Sequence, residues 1–207
     1  MAVTELALIH LNPSSGWPTD PYVRSSLLKA KKAMESFTNR RFYFYNQVED
    51  PSYIYIIGSW PSLSQHTNEW IPSKEELLKD KLEVDWMFHL GIDQDKDDSV
   101  SSEMIPFSGP ALAIARHFVD STNKTKFADT FDANQQQLAN FVAQHTIRAD
   151  WRIDLGPERN EEFVLFLSGL DHVEQHSVFL DGCREYAQIK KTVSDVDVKH
   201  ATKLDLD

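Results

Sequence analysis

Residues 53–66 read YIYIIGSWPSLSQH, and residues 163–176 read FVLFLSGLDHVEQH. Each stretch opens on an apolar run with the length and the β-branched or aromatic make-up of a buried strand. Each then passes through Gly and Ser into a segment whose histidine, His66 or His176, follows Leu63 or Val173 by one helical turn. That spacing turns the histidine onto the apolar face of a helix. The same strand-to-helix junction met twice in one chain predicts a duplicated fold.

The flanking elements support a duplication. Upstream, RFYFYNQV and the turn Glu49-Asp50-Pro51-Ser52 make a hairpin with YIYIIGSW. Before it, Thr4 to Leu11 reads as a strand with Leu6, Leu8 and His10 on one face and Ala7, Ile9 and Leu11 on the other. After NPSSGWPTD, Asp20 reads as N-cap and Pro21 as first helical residue, and Val23, Leu27, Ala30, Met34 and Phe37 recur at helical spacing. Downstream, a helix from Ser62 is broken or bent at Pro72 and restarts at Ser73 with capping-box spacing to Glu76. The closing strand EVDWMFHLGI sets Val84, Trp86, Phe88 and Leu90 against Asp85, Met87 and His89.

Beyond the acidic segment DQDKDDSVSSEM the order recurs. It comprises the strand ALAIARHFV, a helix whose face carries Leu138, Phe141, Val142 and His145, and a hairpin of WRIDL with FVLFLSGL. An Asp171-capped helix carrying Val173, His176, Leu180, Cys183 and Tyr186 follows, with a final strand DVKHATKLDL. On this alignment His10 matches His117, and LGID at 90–93 matches LDLD at 204–207.

The order β-α-β-β-α-β is the ferredoxin-like unit. The expected fold class is α+β, with two ferredoxin-like repeats, residues 1–98 including the acidic linker and 99–207. A sheet with helices on one face leaves the other bare, so the two antiparallel sheets are expected to pack together as a dimeric α+β barrel within one chain.

The segments YIYIIGSWPSLSQHTNEW and EVDWMFHLGID resemble the antibiotic-biosynthesis-monooxygenase type of dimeric α+β barrel, particularly its tandem fungal form. Relatives of that type include cofactor-independent oxygenases of polyketide anthrones, polyketide cyclases, haem-degrading oxygenases, lactone isomerases and stress proteins. The resemblance implies a pocket for a planar aromatic or polyketide-like ligand and a role in secondary metabolism.

Composition narrows the alternatives. A formal charge of -11 opposes binding to nucleic acid or to anionic membranes. The opening MAVTELALIHLN has no basic leader and is interrupted by Glu5, so neither a signal peptide nor a spanning helix is expected. With the single Cys183, this favours a cytoplasmic protein. No GxGxxG, GxxxxGK[ST] or GxSxG occurs. The pair in HVEQH lacks a third ligand and its partner position is Ser62, so no metal is expected and no cofactor is called for.

The candidate catalytic residues are His66, His89 and Asp85. Asp85 and His89 stand about 13 Å apart along one strand face and could line one cavity. Candidate substrate-binding residues are His10, Phe44, Trp60, Trp70, Trp86, His117 and His176. Two functions compete. One is an enzyme that removes a proton from a planar phenolic or polyketide-like substrate, leading to oxygenation or cyclisation. The other is a ligand-binding or stress-response barrel without catalysis, in which the histidines are satisfied buried groups. The chain would be a monomer, as an internal pseudo-dimer, or a homodimer.

Overall fold

The computed structural model describes residues 1–12, 16–73, 82–92, 110–141, 146–155, 161–170, 173 and 184–206. They divide into two compact units, Met1–Ser102 with Thr202–Asp207, and Glu103–Ala201. The first contains β1 (Val3–Leu11), α1 (Pro21–Thr38), β2 (Phe42–Gln47), β3 (Tyr53–Trp60), a π-helical stretch (Gln65–Trp70) and β4 (Leu82–Leu90). The second contains β5 (Ala111–Val119), α2 (Lys124–Phe141), β6 (Thr146–Trp151), β7 (Glu161–Leu170), α3 (Arg184–Lys190) and most of β8 (Asp195–Lys203).

Within the first unit the strands lie in the order β4-β1-β3-β2; within the second, β8-β5-β7-β6. The pairs β1–β3, β1–β4, β2–β3, β5–β7 and β6–β7 are antiparallel. In each unit the first and third strands are neighbours, which is how the split βαβ order avoids adjacent parallel edges.

Alternation along β1 sorts side chains onto two faces. Val3, Ala7, Ile9 and Leu11 pack with Val23, Leu27 and Met34 of α1 and with Phe42, Phe44, Ile54, Ile56 and Trp60. Glu5 lies on this same helix-covered face. Asp20 holds the N-cap backbone position but its side chain makes no cap bond; its Oδ2 instead accepts from Trp17 N at 2.7 Å. At the other end Asn39 adopts φ 55°, and its N–H closes α1 onto Glu35 O. In the second unit Ala111, Ala113, Ala115 and Val119 of β5 pack with Phe127, Phe131, Phe163, Leu165, Leu167 and Ile189.

Four sequence expectations change. The helix expected from Ser62 begins at 63 and includes Pro72 and Ser73, beyond which description stops, and it carries a π-helical stretch in its middle. Proline supplies no donor, and the wider π turn is closed by Ile71 N reaching His66 O. The strand expected at WRIDL ends where it was expected to begin; β6 is Thr146–Trp151, because Ile147, Ala149 and Trp151 pack against the helix-side core. The last strand stops at Lys203, and Leu204 and Leu206 join the first unit's core, with Leu204 N donating to Phe44 O at 2.8 Å. Leu204 and Leu206 therefore do not act in the second unit as Leu90 and Ile92 were expected to act in the first; Asp93 and Asp207 lie outside the described residues. Finally, His10 and His117 are not equivalent. His10 shares its face of β1 with Leu6 and Leu8, away from the helices, whereas His117 alternates with Ala113 and Ala115 on the helix side.

The helix restart beyond Ser73, the acidic segment and His145 lie outside the described residues. So does the helical segment with His176, Leu180 and Cys183.

Candidate active site

On the helix side of the first unit, four polar or aromatic side chains meet in a layer without water access. Glu5 on β1, Trp60 at the end of β3, His66 on the π-helical stretch and His89 on β4 are 4%, 0%, 2% and 1% exposed. Register explains two of them: Glu5 is directly opposite His89 across β1–β4. It is also opposite Gly58 across β1–β3, and Gly58 is opposite Phe42 across β2–β3. A Cβ on Gly58 would fall 2.0 Å from carbons of the Phe42 ring. The missing side chain thus lets Phe42 lie over the strand and meet Trp60 edge-on, with centroids 5.3 Å apart.

The helix turn places His66. Ser62 Oγ accepts from Gln65 N at 3.1 Å, Ser62 O accepts from His66 N at 3.3 Å, and Thr67 Oγ1 donates to Leu63 O at 3.0 Å. The wider π geometry then swings His66 inward; such insertions recur at functional sites. Its ring stacks on Trp60 at 4.0 Å and 11°.

Three contacts join the group. His66 Nδ1 and His89 Nε2 are 2.7 Å apart. Trp60 Nε1–H donates to Glu5 Oε2 at 2.6 Å. His66 Nε2 stands 3.6 Å from the same carboxylate oxygen, a charge contact longer than a hydrogen bond. Burial dominates the electrostatics. Loss of water pushes the Glu5 carboxyl up to about 7, against the opposing pull of the Trp60 hydrogen bond and of His89. Burial, reinforced by His89, pushes His66 down to about 3. Burial therefore holds His66 as a neutral ring and favours the protonated form of the Glu5 carboxyl beside it.

Around this group lie Trp70, 5.7 Å from Trp60, and Phe37, 5.2 Å from Trp70. Phe37 is 39% exposed, so these rings lead from the surface to Trp60. Phe44 belongs to the same helix-side core.

The remaining candidates lie elsewhere. Between Leu8 and Ile9 the β1–β4 register slips, so that Leu8 faces Trp86 and Ile9 faces Val84. Asp85 is the extra residue of a β-bulge and is exposed. The expected shared face of Asp85 and His89 fails because a bulge reverses the alternation behind it. Trp86 and His10 lie on the face of the sheet away from α1. There Trp86 stacks on Phe88 at 5.2 Å, and His10 stacks on Tyr53 at 4.6 Å. In the second unit His117 Nδ1 lies 3.2 Å from Phe163 O, between the rings of Phe127 and Phe163. Burial pushes it down to about 4 despite the backbone hydrogen bonds. His117 is thus a neutral core residue, and His176 lies outside the described residues.

Sequence reasoning missed Glu5, which it took only as an interruption of an apolar run. The signal was available: a carboxylate in the middle of a strand whose two faces are both covered must be buried, and a buried carboxylate needs partners. It also missed Glu162, 2% exposed. Glu162 is clasped by Arg116 Nε at 2.6 Å and Arg152 Nη1 at 3.2 Å.

An α+β protein built on antiparallel strands with few helices, carrying a buried carboxylate–imidazole group, is the class that fold and site define. Among solved structures the chain is similar to an anthrone oxidase-like protein (TM-score 0.62, 10% identity, 99% of this chain and 92% of that one). It is similar also to a mutant chlorite dismutase from Candidatus Nitrospira defluvii (TM-score 0.65, 12% identity, 100% and 92%). A third similar structure is a haem-binding protein from Thermus thermophilus (TM-score 0.55, 10% identity, 99% and 92%). No family model and no curated protein matches the chain. The likeness to these structures is one of fold, an α+β chain built on antiparallel strands.

The haem-binding neighbour makes haem ligation a question for the histidines. The rings of His66, His89 and His117 do not fit an axial ligand. Each is 1–2% exposed, and each has a ring nitrogen in a polar contact inside the core. His66 and His117 are also flanked by aromatic rings. Among the described residues no group of three or more His, Cys, Asp or Glu is placed to hold a metal ion. Nor is any helix among them long and apolar enough to cross a membrane.

Proposed function

We propose that the protein is a cofactor-independent small-molecule enzyme in which His89 and His66 remove a proton from a planar phenolic or polyketide-like substrate. The observation that supports this reading is the 2.7 Å contact between the two imidazoles beside a buried carboxyl. The two rings adjoin a carboxyl whose proton affinity burial raises, and the flanking Trp60 and Trp70 suit a flat apolar ring. With an anthrone, loss of a methylene proton leaves a carbanion. Addition of dioxygen to it, followed by loss of water, gives the quinone; cyclisation would start from the same carbanion. On this reading the chain is a tandem barrel of the fungal type, acting in secondary metabolism in the cytoplasm, and its two halves are repeats at about residues 1–98 and 99–207.

The test is turnover of a panel of anthrones and phenolic polyketides with and without oxygen. His66→Gln and His89→Gln are expected to lower kcat by about 100-fold or more, with Asp85→Asn and chelators leaving it unchanged. Full activity of the folded double variant would remove the two histidines from the reaction.

Full burial of the four side chains favours a second reading, a ligand-binding or stress-type protein in which they serve as a polar core. Ligand binding without turnover by any panel member would support it.

A further inference from the structure

We propose that Trp60 is a redox-active residue: an outer-sphere one-electron oxidant at the surface draws an electron from it through Trp70, and its indole proton passes to Glu5. This role stands apart from the enzymatic reading above and uses none of its substrate chemistry.

A buried indole resists oxidation, because losing an electron leaves a cation where no water solvates it. Trp60 is 0% exposed, and its surroundings meet that difficulty in three ways. Its Nε1–H donates to Glu5 Oε2 at 2.6 Å, within the reach that proton transfer needs. An indole radical cation is a far stronger acid than indole itself, and burial raises the affinity of this carboxyl for a proton. The ring stacked on Trp60, His66 at 4.0 Å and 11°, is held neutral by burial and sets no cation against the hole. Trp70 lies 5.7 Å from Trp60 between centroids, in the range of aromatic contact. It is only partly buried and borders Phe37 at 5.2 Å, so touching rings lead an electron outward.

The step balances with Glu5 ionised at the start. The oxidant takes one electron from Trp70, Trp70 takes one from Trp60, and Trp60 Nε1 releases its proton to Glu5 Oε2. The oxidant has gained one electron, Trp60 has lost one electron and one proton, and Trp70 is unchanged. A neutral indolyl radical then sits beside a neutral carboxyl, so the buried layer ends with less charge than it began with. The groups that face Glu5 are the Trp60 indole and Gly58 from β3, His66 from the π-helical stretch and His89 from β4. The buried residues of α1 are Val23, Leu27, Met34 and Thr38, none charged.

The experiment is laser flash photolysis of the full chain at about pH 8.5, above the folded value of the Glu5 carboxyl. The oxidant is a photogenerated ruthenium(III) tris-bipyridine complex, and neutral and cationic indole radicals are told apart by their visible absorption. The wild type is expected to give a long-lived neutral radical. Trp60→Phe should abolish it, whereas Trp17→Phe, which removes an indole 57% exposed, should leave it in place. Trp70→Phe should remove the fast phase of its appearance. Glu5→Gln, whose amide accepts a hydrogen bond but not the proton, should shift the absorption to that of the cation. The inference is overturned by a cation in the wild type, by a radical that survives Trp60→Phe, or by a fast phase indifferent to Trp70→Phe. A neutral radical of unchanged yield in Glu5→Gln overturns it equally. Should Trp60→Phe or Glu5→Gln not fold, the wild-type spectrum and the fast phase in Trp70→Phe decide.

Discussion

Replacing Glu5 by Gln should raise stability at alkaline pH and leave it nearly unchanged in mild acid. In the folded chain burial lifts this carboxyl from its ordinary 4.5 to about 7. The charged form is therefore the one that folding penalises. A carboxyl with a raised folded pKa contributes fully below the unfolded value and loses that contribution as pH climbs through the folded one. The window here runs from about 4.5 to about 7. At 1.36 kcal/mol per pKa unit the loss is about 3 kcal/mol once the carboxyl is ionised. Gln keeps an acceptor for Trp60 Nε1–H and offers an N–H to His66, so it copies the neutral acid without its titration. Urea unfolding of both proteins should give matching free energies near about pH 4 and a gap of about 3 kcal/mol in favour of Glu5→Gln near about pH 8.5. In thermal melts that gap is about 6–12 °C for a chain of this size. Parallel stability curves for the two proteins across the range would refute the assignment of a buried carboxyl whose charged form folding penalises.

The other predictions concern packing and the second unit. Gly58→Ala should destabilise by about 1–3 kcal/mol, because the new methyl meets the Phe42 ring; Gly58→Ala with Phe42→Leu should recover part of the loss in the same melt. His117 is held neutral with its pKa lowered to about 4, so its own contribution of about 3 kcal/mol should be lost as pH falls from about 6.5 to about 4, opposite in sign to that of Glu5. His117→Leu should flatten that acid limb in a pH series of unfolding curves. Glu162→Ala removes the carboxylate that Arg116 and Arg152 share, while Arg152 keeps Asp154 at 2.8 Å, and should cost about 3 kcal/mol. Glu162→Gln should show most of that loss, since the charge rather than the volume is what the arginines require.

Local periodicity made most strands and α1 legible. YIYIIGSW coincides with β3, and Pro21 opens α1 because a proline fits only a first turn. The alternation of β1 put Ala7, Ile9 and Leu11 on one face, and only packing made that the helix side. His66 was placed by its distance from Leu63, and Trp70 by its distance from His66, since both depend on helical period alone. What periodicity could not supply was register between distant segments. The bulge at Asp85 is a property of the β1–β4 pairing, and it moved that carboxylate to solvent while His89 stayed inside. The choice of partner for His66 depended on the same pairing, which sets Glu5 opposite His89, and on a π turn that no residue spacing announces. Sequence by itself determined which apolar residues share a face, because side-chain period follows from backbone geometry. Only the tertiary structure decided which buried groups touch. The meeting of Glu5, His66 and His89 depends on contacts between three separate elements, and its electrostatics on the loss of water that their packing imposes.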